Sequence, residues 1–132
     1  MTKEDHIKYW INGSEKDWEV MNDLFQLKRY VHCLFFAHLV LEKLCKAHWV
    51  KDNESNYPPH IHNLVKIISQ TKNQLPEGDM TFLADINKFQ LEGRYPDYIS
   101  NIYNITSRDV AEQYLTKTNN IRQCLTEKLQ LN

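Results

Sequence analysis

Glycine and proline are scarce in this chain, with three and four among 132 residues, against ordinary usage of about 7% and 5%. They stand at Gly13, Pro58, Pro59, Pro76, Gly78, Gly93 and Pro96, so residues 14–57 and 97–132 hold no strong helix breaker. A β-sandwich or barrel needs turn signals every ~8–12 residues. That class is excluded, and long helices are expected. The P-loop, the G-x-G-x-x-G phosphate loop and the nucleophile elbow are absent too. The three cysteines, Cys33, Cys45 and Cys124, are odd in number, far apart and without a C-x-x-C pair. They argue against a disulfide framework or zinc site and for buried thiols in a reducing cytosol. Charge of one sign is lacking as well, since 16 basic and 17 acidic residues leave a net −1. No broad field draws in nucleic acid or an anionic membrane, although a local site stays compatible with that balance.

Long hydrophobic runs are missing. The most apolar stretch, residues 33–41, is interrupted by His38 and followed by Glu42 and Lys43, far short of the ~20 residues of a membrane span. The charged first six residues have no apolar segment behind them, so no signal peptide is expected and the location expected is cytoplasmic. What is present, 42% hydrophobic and 25% charged residues, is the composition of a folded globular protein. Its length fits one domain over residues 1–132.

The apolar residues repeat with helical period. Ile7, Ile11, Ser14, Trp18, Met21 and Phe25 form one stripe that runs through Gly13 without a change of phase. This predicts a first helix over about residues 4–26. A second, over about 28–52, is apolar nearly all round at its middle through Phe35, Phe36, Leu39 and Val40. Such a helix is central or has a second face for a partner. After the Pro58-Pro59 loop, Ile61, Leu64, Val65 and Ile68 predict a shorter helix to about residue 73. Asp79 then caps a fourth that reaches about residue 92 and is ended by Pro96. Residues 97–106 read as an ordered loop, and Thr106-x-x-Asp109 as the capping box of a last helix with Val110, Tyr114, Thr118, Ile121 and Leu125 inward. The expected fold is all-α, an antiparallel up-and-down bundle of four to five helices.

Few constellations carry chemistry. His60-x-His62 is the one close histidine pair, and residues two apart on a helix diverge, so a metal site is not expected there. Glu42 and Lys46 read as a helical i,i+4 pair, and Lys43 as a surface lysine unless an acid or a phosphate meets it. The most unusual run is Arg94-Tyr95-Pro96-Asp97-Tyr98. Arg94 there offers a fork to Asp97 or to a phosphate, and the same run also serves as a plain helix stop.

Several segments together resemble the HEPN family (higher eukaryote and prokaryote nucleotide-binding domain). They are Tyr9-Trp10-Ile11 with Lys16-Asp17-Trp18, Arg29-Tyr30, residues 35–47, Pro58-Pro59-His60-Ile61-His62-Asn63-Leu64, and Arg94-Tyr95-Pro96-Asp97-Tyr98. The resemblance spans about residues 7–130. It implies a bundle of four to five helices that commonly dimerises, often beside a minimal nucleotidyltransferase. One group of its members comprises metal-independent ribonucleases, including toxins of toxin–antitoxin pairs, marked by Arg, four to six residues, then His. This chain lacks that motif, since no histidine follows Arg94, Arg108 or Arg122, and Arg29 is wrongly spaced from His32, His38 and His48. The expected function is therefore a non-catalytic, homodimeric binding module without cofactor. It would partner a nucleotidyltransferase, bind nucleotide or nucleic-acid phosphate, or both. Candidate ligand contacts are Arg94, Tyr95, Asp97, His62, Lys43 and Lys46. The alternatives are a divergent ribonuclease using His62 and Arg94, and a purely structural interaction bundle.

Overall fold

Thr2 starts the first helix, α1 (Lys3–Gln26), by a reciprocal pair of bonds. Its hydroxyl accepts from the Asp5 N–H at 3.1 Å, and Asp5 accepts from the Thr2 N–H at 3.0 Å. This capping box satisfies two donors that a helix start leaves free. A computed structural model describes residues 1–130, which contain six α-helices and no strand. After α1 come α2 (Tyr30–Asp52), α3 (Leu64–Ile68), α4 (Glu77–Ile86) with a 3-10 turn at Asn87–Phe89, α5 (Pro96–Ile105) and α6 (Arg108–Gln130).

The α1 stripe does run unbroken through Gly13, and the reason for the glycine is space rather than a bend. A Cβ there would sit 3.2 Å from Lys43 Cδ, whose side chain lies across α1 to reach Asp17 at 2.6 Å. At the next residue, the buried Ser14 hydroxyl donates to the Val40 carbonyl and ties the two helices together.

The α2 helix is the central element. It packs on α1, α3 and α6, and Leu34, Ala37, Val40, Leu41, Leu44, Cys45 and Ala47 are fully enclosed. Of its all-round apolar middle, Val40 is enclosed, whereas Phe35, Phe36 and Leu39 stay half-buried. Each enclosed leucine contributes about 1.5–3 kcal/mol by leaving water. Direction follows from contacts at the helix ends. Lys3 near the start of α1 donates to the Val50 and Asn53 carbonyls at the end of α2, whereas His48 and Lys51 donate to Leu125 and Lys128 near the end of α6. Hence α1 and α2 are antiparallel, and α6 runs with α2. Lys117 and Tyr114 of α6 meet Asp79 and Asp85 of α4 in reverse order, so α4 opposes α6. That is the up-and-down arrangement.

Five local expectations are corrected. Residues 97–106 are not a loop: Pro96 opens α5 instead of ending α4, because its fixed φ suits a first helical position where no N–H is needed. Tyr98, Ile102 and Thr106, spaced by four, turn its inner side to the bundle. The fourth helix ends earlier, at Ile86 and its 3-10 turn. The third is only five residues long, since His60 to His62 are non-helical and Asn63 is its cap, accepting from the Lys66 N–H at 3.2 Å. Asp79 lies inside α4 rather than capping it, and Ser107, not Thr106, caps α6 by accepting from Val110 N–H. Cys33 and Cys45 are buried, and burial pushes both thiols up to about 12, which keeps them protonated; Cys124 is half-buried.

The α1–α2 turn closes with two bonds, Arg29 N–H to Leu24 and Lys28 N–H to Phe25. This pattern requires a left-handed residue at its centre, and Lys28 takes it at φ 63°. A side chain there costs about 1 kcal/mol or more. Lys28→Gly is therefore expected to raise stability by roughly 0.5–1 kcal/mol, read as a higher urea midpoint at unchanged slope. A lower midpoint would show that the turn does not need that conformation.

Candidate functional site

Three buried polar side chains of α2, His38, Glu42 and Lys46, follow at i, i+4 and i+8. All are buried, Glu42 to 5% and Lys46 to 7% exposure. A carboxylate and an ammonium in such a place must be paired. Glu42 Oε2 accepts from Lys46 Nζ at 3.0 Å, and Oε1 accepts from His62 Nδ1 at 3.0 Å. The expected i,i+4 pair is thus present, but it lies inside the molecule, where α1 and the loop before α3 cover it.

His38 is held neutral. Burial pushes its imidazole below the usual range, against the opposing hydrogen bond to Asn87 and the approach of Glu42. Its Nε2 donates to Asn87 Oδ1 at 3.1 Å, while Nδ1 has no partner and stands 3.8 Å from Glu42 Oε1. Asn87 also accepts from the Leu64 N–H and donates to Asn63. One polar network therefore joins α2, the start of α3 and the 3-10 turn. It fixes where His62 stands.

His62 turns its other nitrogen outward. Nε2 is 3.6 Å from Glu92 Oε2, and the side chain is 46% exposed. Since α3 starts later than expected, His60 and His62 lie on non-helical backbone, and His62 folds back on α2.

Lys46 has a second neighbour, the Trp10 indole, with Nζ 5.4 Å from the ring centre, within cation–π reach. Trp10 and Tyr9 wall two adjacent recesses. One, of about 320 Å³, extends from Lys46 to Tyr57, Pro59 and His60. The other, of about 390 Å³, opens on Gly13, Lys16 and Lys43. Together they form a face on which cations alternate with aromatic rings.

The structure divides the expected contacts into two groups. Lys43, Lys46 and His62 come together around Glu42, Trp10 and Asp17, and Lys43 is paired with Asp17. Arg94, Tyr95 and Asp97 lie on the loop before α5 and in its first turn. The Arg94 Nε donates to the Gln90 carbonyl at 3.1 Å, and its guanidinium stacks on Tyr98 at 4.2 Å. The expected Arg94–Asp97 fork is not among the ion pairs of the described residues: Asp97 is an exposed first-turn residue of the helix that Pro96 opens, and Tyr98 occupies the Arg94 face. Glu92 beside His62 brings this loop next to the first group. Sequence reasoning missed Glu42 as an organising group and Trp10 as a wall. A signal existed in the polar i, i+4, i+8 series running through the most apolar part of the helix. No group of three or more His, Cys, Asp or Glu among the described residues is placed to hold a metal, and none of their helices is long and apolar enough to cross a membrane.

His48 matches His38 in being buried. It donates to Leu125 and accepts from Asn73, and burial again lowers its imidazole. Both groups bind fewer protons folded than unfolded, so their stabilisation is complete above an unfolded value of about 6.5 and is lost as pH falls through the lowered folded values. Denaturation midpoints are expected to drop between pH 7.5 and 5, with a shallower slope in His48→Gln. A flat profile over that range would contradict neutral burial.

Comparison with curated proteins and with solved structures gives no match. The family described as HEPN domain matches residues 7–129, nearly the whole chain including both groups of contacts. The all-α bundle, the central α2 and the matched span agree, and the chain belongs to the HEPN family.

Proposed function

We propose that this protein is a non-catalytic binding module for nucleotide or nucleic-acid phosphate, working as a homodimer and as the partner of a nucleotidyltransferase. Membership of the HEPN family supports a nucleotide- or RNA-related role. The observation that carries the proposal is the α1–α2 face, where Lys16, Lys43 and Lys46 flank Trp10 and Tyr9. Single-stranded nucleic acid is held by such alternation, cations tracking the phosphates and rings taking the bases. Lys46 and His62 are positioned by Glu42, so their donors are ordered before a ligand arrives. Exposed Arg94 and Tyr95, beside His62 through Glu92, are proposed as outlying contacts for a longer strand, with Asp97 at the rim. Exposed Leu27, Tyr103 and Ile105 offer apolar surface for a second copy.

A second reading rests on a different feature, the Glu42–His62 pair. A buried carboxylate holding Nδ1 leaves Nε2 free to move a proton. In ribonuclease chemistry that nitrogen would take the proton of a 2′-hydroxyl. The 2′-oxygen then bonds to phosphorus while the bond to the 5′-oxygen breaks, and the leaving oxygen takes a proton from water.

One set of measurements addresses both readings. Fluorescence anisotropy with a single-stranded RNA oligomer is expected to show binding that weakens several-fold in Lys16→Ala and in Lys43→Ala. Each variant should lower the slope of log affinity against log salt by about 0.7. Absence of binding, or binding indifferent to these lysines, would overturn the proposal. Recovery of intact RNA in the presence of a chelator favours the binding module, whereas cleavage lost in His62→Ala establishes the second reading.

A further inference from the structure

We infer that the recess between Trp10 and Tyr57 receives a nucleobase bearing an exocyclic amino group, with the attached phosphate on the Lys46 side. This deepens the nucleotide reading and rests on it. The recess is small, about 320 Å³, and mostly apolar, which suits one drug-sized or smaller ligand. Its walls are flat. Trp10 packs edge-on against Tyr9 at 5.4 Å between centres, and Tyr57 is braced edge-on by His6 at 5.3 Å. Tyr57 is nevertheless 74% exposed, an aromatic face held in place with nothing upon it.

Polar groups select among apolar ligands. Asn56 lines the recess and has a buried side-chain oxygen without a hydrogen-bond partner. A buried acceptor of this kind calls for a donor. An amino group on a planar heterocycle supplies one in the plane of the ring, while the ring stacks on the walls. Other ligand classes fit worse. A quaternary ammonium would meet Lys46, whose ammonium already faces Trp10. An acyl chain would leave Asn56, His6 and His60 without partners. A bare anion has no use for aromatic walls. Lys46 donates to Glu42 but has further N–H groups, and both recesses share Trp10 and Tyr9. A phosphate leaving the first recess on that side therefore approaches Lys43 and Lys16.

The test uses adenosine 5′-monophosphate, adenosine, uridine 5′-monophosphate and inorganic phosphate as probes, with Tyr57→Ala and Asn56→Ala as variants whose helicity is checked by circular dichroism. Tyr57 is exposed and Asn56 makes no side-chain hydrogen bond, so both variants should keep the fold. Adenosine monophosphate is expected to shift the Trp10 indole N–H resonance, with affinity falling at least about fivefold in each variant. Adenosine should shift the same resonance more weakly, uridine monophosphate should bind less well than its adenine counterpart, and phosphate alone should leave the resonance in place. Adenosine monophosphate binding that ignores both substitutions overturns the base pocket; if RNA binding still depends on Lys16 and Lys43, the wider nucleotide reading stands. If neither the mononucleotide nor RNA binds the unaltered protein, both fail.

Discussion

Glu42 lies on the most enclosed helix of the molecule, and a carboxylate there would be severely destabilising if left alone. Its two oxygens are instead divided between Lys46, on the next turn of the same helix, and His62, twenty residues away in sequence. Because the second partner comes from a loop, neutralising the charge also pins that loop. Residues 57–62 contain two prolines and no helix, so their path depends on such side-chain anchors, with His6 bracing Tyr57 at one end and Asn87 holding Asn63 just past the other. The wall that Tyr57, Pro59 and His60 give to the recess opposite Trp10 follows from this anchoring.

The surrounding bundle is what makes the interaction strong. Trp10 of α1 closes over Lys46, and Ser14, Gly13 and the Lys43–Asp17 pair hold α1 at a short distance from α2. The Glu42–Lys46 pair is thereby largely shielded, with Lys46 at the edge of the recess, while the outer sides of Trp10 and His62 remain reachable. A buried ion pair is a weak source of net stability compared with an apolar replacement of the same shape. Its presence on the central helix agrees with a role in positioning donors at a surface rather than in holding the bundle together.

Much of the fold was legible in the residue pattern, because helical phase is a strong signal wherever it persists. The α1 stripe passed through Gly13 uninterrupted, and α2 declared itself central by being apolar on all sides. Phase failed where a proline had two opposite meanings. Pro96 can stop one helix or open the next, and only packing of Tyr98 and Ile102 decides for opening. Likewise Ile61 shares the spacing of Leu64 and Ile68, yet the pull of His62 toward Glu42 keeps that stretch out of the helix. The site was less legible, since an i,i+4 Glu–Lys pair looks the same on a wet or a dry face. Arg94 drew attention by its odd neighbours, but its stacking on Tyr98 and its bond to Gln90 account for much of that run.

Glu42 couples Lys46 to its surroundings as one buried unit. A double-mutant cycle of Glu42→Gln and Lys46→Met, followed by denaturant unfolding, measures that coupling directly. Each single change should destabilise by about 3 kcal/mol through the group left unpaired, and the double variant should recover at least ~1 kcal/mol of the summed loss. Additive single effects of a few tenths of a kcal/mol would mean that the pair is solvated and that the site is not organised around it.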